Sequence, residues 1–75
     1  MPKLPPLTAR QIIRALKKAG FVEDRQRGSH LVLFHSGSGA RTVVPIHRGK
    51  TIKKKLAHSI LKDAELTVEE FLDLL

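Results

Sequence analysis

Seventy-five residues make one small domain with one core, and a chain this short buries only roughly 60% of the surface its unfolded form exposes, so its strongly apolar residues are needed for packing. The absence of cysteine excludes a disulfide scaffold, a thiolate zinc site and thiol catalysis, and no apolar stretch has the length of a membrane span or the pattern of a signal peptide, so a soluble, cytoplasmic protein is expected. Charge is sharply divided: 14 Lys and Arg against Glu23 and Asp24 give residues 1–62 a charge of +12, whereas five acids and no Lys or Arg give residues 63–75 a charge of −5. Such a field draws polyanions, of which nucleic acid is the usual one, although a basic run can also be no more than a solvated face.

The chain reads as a single domain over 1–75 whose first seven residues, Met1 to Leu7, are a flexible segment. Thr8-Ala9-Arg10-Gln11 has the spacing of a capping box, and apolar residues recur at Ile12, Ile13, Leu16 and Ala19 until Gly20 stops the pattern, which predicts a helix over 9–19. Arg10, Arg14, Lys17 and Lys18 fall on another face of it and form a first candidate phosphate contact. Residues 21–26 form a charged strand that turns at Arg27-Gly28, and residues 31–35 form a second. Ser36 to Gly39 is a hairpin loop by composition, and 41–46 is a third strand, which Pro45, with no N–H to give a ladder, confines to an edge or an exit. From Thr51 the pattern is helical, with Ile52, Leu56, Ile60 and Leu61 on one side and Ala57 and Ala64 beside them. A second capping box, Thr67-Val68-Glu69-Glu70, introduces Phe71, Leu72, Leu74 and Leu75. These are core candidates first, although the acidic tail from Asp63 could also face a protein partner. The order α-β-β-β-α-α predicts an α+β fold: a three-stranded antiparallel sheet with helices packed on one face and the other face open.

Lys53, Lys54 and Lys55 stand in the first turn of the second long helix, where the macrodipole is positive and cations destabilise. The arrangement suits a phosphate met by free backbone N–H groups and lysines together, while exposed lysines near a helix end can also simply be tolerated. Gly49-Lys50-Thr51 is not a nucleotide-binding loop, because Val44 stands where its first glycine is required. Arg48 and Lys50 remain candidate phosphate contacts.

Of four histidines, His30 and His35 lie an odd number apart on a strand and face opposite ways, and no HxH or HxxxH spacing offers a metal pair. His58 reads as a helix-surface residue, and His47 as a phosphate or base contact at the strand exit. His30, after Gly28-Ser29 and near Arg25 and Arg27, is the candidate for catalysis, although a lone histidine is more often structural. RNA cleavage without a metal needs a base for the 2′-hydroxyl proton, an acid for the departing 5′-oxygen and cations for the phosphorane. His30 with Arg27, Lys50 and the lysines after it supplies most of this set, and no obvious second acid–base group accompanies it.

Gly28-Ser29-His30 with Phe34, then Val44-Pro45-Ile46-His47-Arg48-Gly49-Lys50, then Ser59-Ile60-Leu61-Lys62-Asp63-Ala64 and Glu69-Glu70-Phe71, in this order and spacing, resemble the HicA-like toxins of bacterial type II toxin-antitoxin modules. The resemblance runs from Thr8 to Leu75. It implies a double-stranded-RNA-binding-like fold, metal-independent and cofactor-free cleavage of mRNA, and neutralisation by a HicB-like antitoxin encoded nearby. The family's catalytic histidine carries over to His30 alone, and its basic segment to Pro45, His47, Gly49 and Lys50. Together with the charge argument this gives an RNA-contacting set of Arg27, Gly28, Ser29, His47, Arg48, Lys50, Lys53, Lys54 and Lys55, in a protein expected to be monomeric when free and to have no membrane partner. Where many relatives have a Gly-Thr turn before the second long helix, this chain has Lys54-Lys55, which adds charge and extends the helix backward. The same cluster looks like the phosphate clamp of true double-stranded-RNA-binding domains, so the alternative function is a non-catalytic RNA-binding module of that type.

Overall fold

The Thr8 hydroxyl accepts the Gln11 N–H at 3.3 Å and the Gln11 side chain accepts the Thr8 N–H at 2.9 Å, so the expected capping box opens the first helix. The computed structural model describes residues 2–75. In chain order its elements are β1 (Leu7–Thr8), α1 (Ala9–Lys18), β2 (Val22–Arg27), β3 (His30–Phe34), β4 (Arg41–Pro45), β5 (Thr51–Ile52), α2 (Lys54–Asp63) and α3 (Val68–Leu72). β2, β3 and β4 form the expected three-stranded antiparallel sheet in that order, and β1 pairs with β5 in a separate two-stranded ribbon.

Alternation along β3 and β4 decides the faces of the sheet. Leu31 and Leu33 on β3, with Thr42 and Val44 on β4, are buried against the helices, while His30, Val32, Phe34, Arg41 and Val43 take the open face. α1 meets this layer with Ile12, Ala15 and Leu16 and α2 with Ala57, Ile60 and Leu61, all buried. The buried Thr42 hydroxyl donates to the Ile60 carbonyl at 3.0 Å, which fixes α2 against β4 and leaves no buried side-chain donor unmatched among the described residues. β2 is exposed along its whole length. It is bulged between Glu23 and Arg25, and Asp24 at the bulge pairs with Arg41, which also lies 4.8 Å over the Phe34 ring.

Three expectations change. Residues 1–7, expected as a flexible segment, contribute two core side chains, Leu4 and Leu7, and Leu7 pairs with Ile52; Met1 lies outside the described residues. Helicity begins at Lys54 rather than Thr51, because Thr51 and Ile52 are used by the ribbon with β1. The second strand runs His30–Phe34, one residue earlier than expected, since the Gly28-Ser29 turn is tight enough to start the ladder at His30 opposite Arg27. The Pro45 expectation holds: β4 is an edge strand and Pro45 is its last residue. α3 keeps its capping box, and Phe71 is fully buried, so the tail closes the core.

Candidate functional site

Gly28 and Ser29 make the two-residue turn of the β2–β3 hairpin, and Gly28 takes the left-handed backbone (φ 56°) that the first position of such a turn requires. His30 follows at once, exposed, on the open face and in register with Pro45. The Ile46 N–H donates to the Ser29 carbonyl at 2.6 Å. That bond makes Ser29 and Ile46 the hydrogen-bonded pair and His30 and Pro45 the non-hydrogen-bonded one, so the missing N–H of Pro45 costs the ladder nothing. After Ile46 the chain turns through His47-Arg48-Gly49-Lys50, closed by the Lys50 N–H on the His47 carbonyl at 3.2 Å.

Two concave surfaces flank that turn. A groove of about 640 Å³ runs along the free edge of β4. His30, His47, Lys50 and Lys53 border it on one side and Leu56, Ser59 and Asp63 of α2 on the other. A wider cleft of about 1180 Å³ lies between the basic side of α1, with Arg10, Arg14 and Lys18, and the turn at His47 and Arg48. His47 borders both. Lys17 also reaches the cleft, but its ammonium pairs with Glu23. Arg10 and Arg14 have no carboxylate partner among the described residues.

The residues singled out from sequence thus separate into groups. His30, His47, Lys50 and Lys53 share the groove, and Arg48 lies in the α1 cleft. Arg27, Gly28 and Ser29 form the turn beside His30 without lining either surface, and Lys54 and Lys55 occupy the first turn of α2, exposed and outside the groove. Sequence reasoning missed Ser59 and Asp63 as groove residues. Their spacing of four along α2, with Leu56 one turn earlier, puts them on one helix face, but only the docking of that face at the edge of β4 makes the spacing informative.

The other histidines are accounted for locally. His35 lies past the end of β3, not on it: its Nδ1 accepts the Ser38 N–H at 3.0 Å and its ring stands edge-on to Phe21 at 5.2 Å. A Cβ at Gly20 would come within 2.9 Å of its Nε2 and one at Gly37 within 2.9 Å of its Cε1, so two glycines are cut to fit this ring. His58 is an exposed residue of α2. No group of three or more His, Cys, Asp or Glu that could hold a metal ion stands together among the described residues, and no helix is long and apolar enough to cross a membrane.

The family described as "HicA toxin of bacterial toxin-antitoxin" has a model that matches residues 9–66, a span that holds α1, the three-stranded sheet, the whole lining of the groove, the lining of the α1 cleft apart from Thr8, and every histidine. The curated proteins give no match.

Proposed function

The chain belongs to the HicA toxin family of bacterial toxin-antitoxin systems, and from that premise we propose that it is a cytoplasmic endoribonuclease that cleaves mRNA without a metal ion, using His30 as general acid or base. The observation that carries this reading is the position of His30: exposed, at the rim of a groove that also presents His47, Lys50 and Lys53. Imidazole exchanges protons near neutral pH, and ammonium groups stabilise the charge that grows on a phosphorane. With Asp63 as its one carboxylate the groove offers imidazole and ammonium chemistry rather than a ligand set for catalytic metal ions. The α1 cleft, which shares His47 with the groove, supplies Arg10, Arg14, Lys18 and Arg48 as phosphate contacts that hold the strand without reading its bases. Arg27, Lys54 and Lys55 add to the field around the entrance.

A toxin of this class has an antitoxin partner, and we assign that role to a HicB-like protein, for which the basic surface calls for an acidic complement. Purified protein is tested on single-stranded RNA in EDTA. Cleavage that His30→Ala abolishes, with RNA binding retained, supports the reading. Salt-sensitive binding to duplex RNA with no products from wild type would instead identify a non-catalytic RNA-binding module.

A further inference from the structure

We infer that His47 is the second acid–base group of the groove, the partner of His30 in moving the two protons of RNA cleavage; the inference rests on the endoribonuclease reading above. The hydrogen bond from Ile46 to Ser29 extends the β3–β4 pairing one step beyond Pro45. In that register His30 faces Pro45, and His47 follows two residues on, just past the end of β4, where it lines the same groove as His30. In a regular ladder a residue two positions past the cross-strand partner stands about 7–8 Å away, and a separation of that order leaves room for a phosphodiester between two imidazoles. Each histidine directly follows one member of the same hydrogen-bonded pair, so main chain fixes both, and both border the groove.

The other ionisable groups facing the groove are Asp63 from α2 and Lys50 and Lys53 from the segment before it. On its other side His47 faces Arg48 and the α1 cations Arg10, Arg14, Lys17 and Lys18. A carboxylate is a base with little acid form at neutral pH and an ammonium or guanidinium an acid with little base form, whereas imidazole populates both. The step balances as follows. One imidazole takes the 2′-hydroxyl proton as the 2′-oxygen bonds to phosphorus, the bond to the 5′-oxygen breaks, and the other imidazolium gives its proton to that oxygen. The products are a 2′,3′-cyclic phosphate and a free 5′-hydroxyl, and proton exchange with water restores the pair.

The experiment measures kcat and kcat/KM against pH, in EDTA, for wild type, His30→Gln, His47→Gln and Asp63→Asn, on RNA and on RNA carrying a 5′-bridging sulfur, a leaving group that needs no proton. The expected result is a bell-shaped wild-type profile, loss of one limb and a roughly 10²–10⁴-fold fall in kcat in each histidine variant, both limbs kept in Asp63→Asn, and recovery on the sulfur substrate in only one of the two histidine variants. A His47→Gln enzyme that keeps both limbs and changes only KM would make His47 a phosphate contact and overturn the inference. Recovery in neither histidine variant, or loss of a limb in Asp63→Asn alone, overturns it as well. Wild type that cuts no RNA removes the nuclease reading itself, a result distinct from the others.

Discussion

Glu65 holds in α2 the position that Gly20 holds in α1: each is the first residue past a helix C-cap, with left-handed backbone at φ 61° and 102°. Both ends are closed the same way. Phe21 and Gly20 donate to the Leu16 and Lys17 carbonyls at 3.0 Å each, and Leu66 and Glu65 donate to those of Leu61 and Lys62, also at 3.0 Å. A side chain in this conformation costs roughly 1 kcal/mol that glycine does not. Glu65→Gly is therefore expected to raise Tm by about 4–8 °C, the shift 1 kcal/mol produces in a domain of this size. Glu65→Gln, which removes the charge beside the negative end of α2 and keeps the backbone cost, is expected to gain less.

Lys53 is the N-cap of α2 and makes no side-chain capping bond, and the first turn after it carries no acid. The other two helices begin with complete capping boxes. Lys53→Ser is expected to stabilise the fold by about 1 kcal/mol while weakening RNA binding and lowering the slope of log affinity against log salt by about 1. Thermal melts and a salt titration check the two arms. A stabilised variant with undiminished affinity would take Lys53 out of the RNA contacts.

How far the site was legible depends on how local its causes are. Both capping boxes and the stop at Gly20 could be read from sequence because each is decided within a few residues. Pro45 could be read because a missing donor has one place in a ladder. The β1–β5 ribbon could not: its strands are two residues each, too short to show a period, and they meet across the chain. Nor could Asp63, which the charge count assigned to an acidic tail. It reaches the groove because the buried bond from Thr42 to Ile60 docks α2 on β4. The nearness of His47 to His30 is set by the register of the β3–β4 hairpin. No spacing rule for histidines contains it.

The Gly28 turn is the most economical way to disturb His30 without touching it. Apart from its two chain neighbours, no residue comes within 4 Å of a Cβ added at Gly28, so Gly28→Ala meets no tertiary clash and suffers only the left-handed backbone. A loss of about 1–2 kcal/mol is expected, with kcat for RNA cleavage falling more than affinity. Denaturant melts with single-turnover kinetics separate the two effects. Equal losses in kcat and affinity would mean that the turn binds RNA directly.

Phe71 ties the acidic tail to the core. It is the largest fully buried side chain, on a helix of five residues that has little stability of its own. Phe71→Ala is expected to cost about 3–5 kcal/mol, a large part of the stability of a domain this small. Leu75→Ala, at a residue 49% exposed, is expected to change it by less than about 0.5 kcal/mol. Urea midpoints decide. A small effect at Phe71 would return the tail to the role of a partner surface.

Glu70 gives the fold a pH dependence whose sign can be stated. Its carboxylate accepts the Thr67 N–H at 2.9 Å, and this backbone bond first, with the Thr67 side chain second, holds its pKa below the usual carboxylate value; the Glu70 N–H completes the box by donating to the Thr67 hydroxyl at 3.1 Å. A carboxylate with a lowered folded pKa favours folding fully above its unfolded value, and the contribution disappears as pH falls through the folded one. The loss therefore belongs below about pH 4.3, the unperturbed glutamate value. Gln11 performs the same reciprocal capping at Thr8 without a charge, so Glu70→Gln keeps the geometry and removes the titration. Wild type is expected to melt above Glu70→Gln at pH 6–7, and the gap is expected to hold down to about pH 4.3 and to narrow below it toward pH 3. A gap that stays constant over this range would assign the acid sensitivity of the fold to other carboxylates.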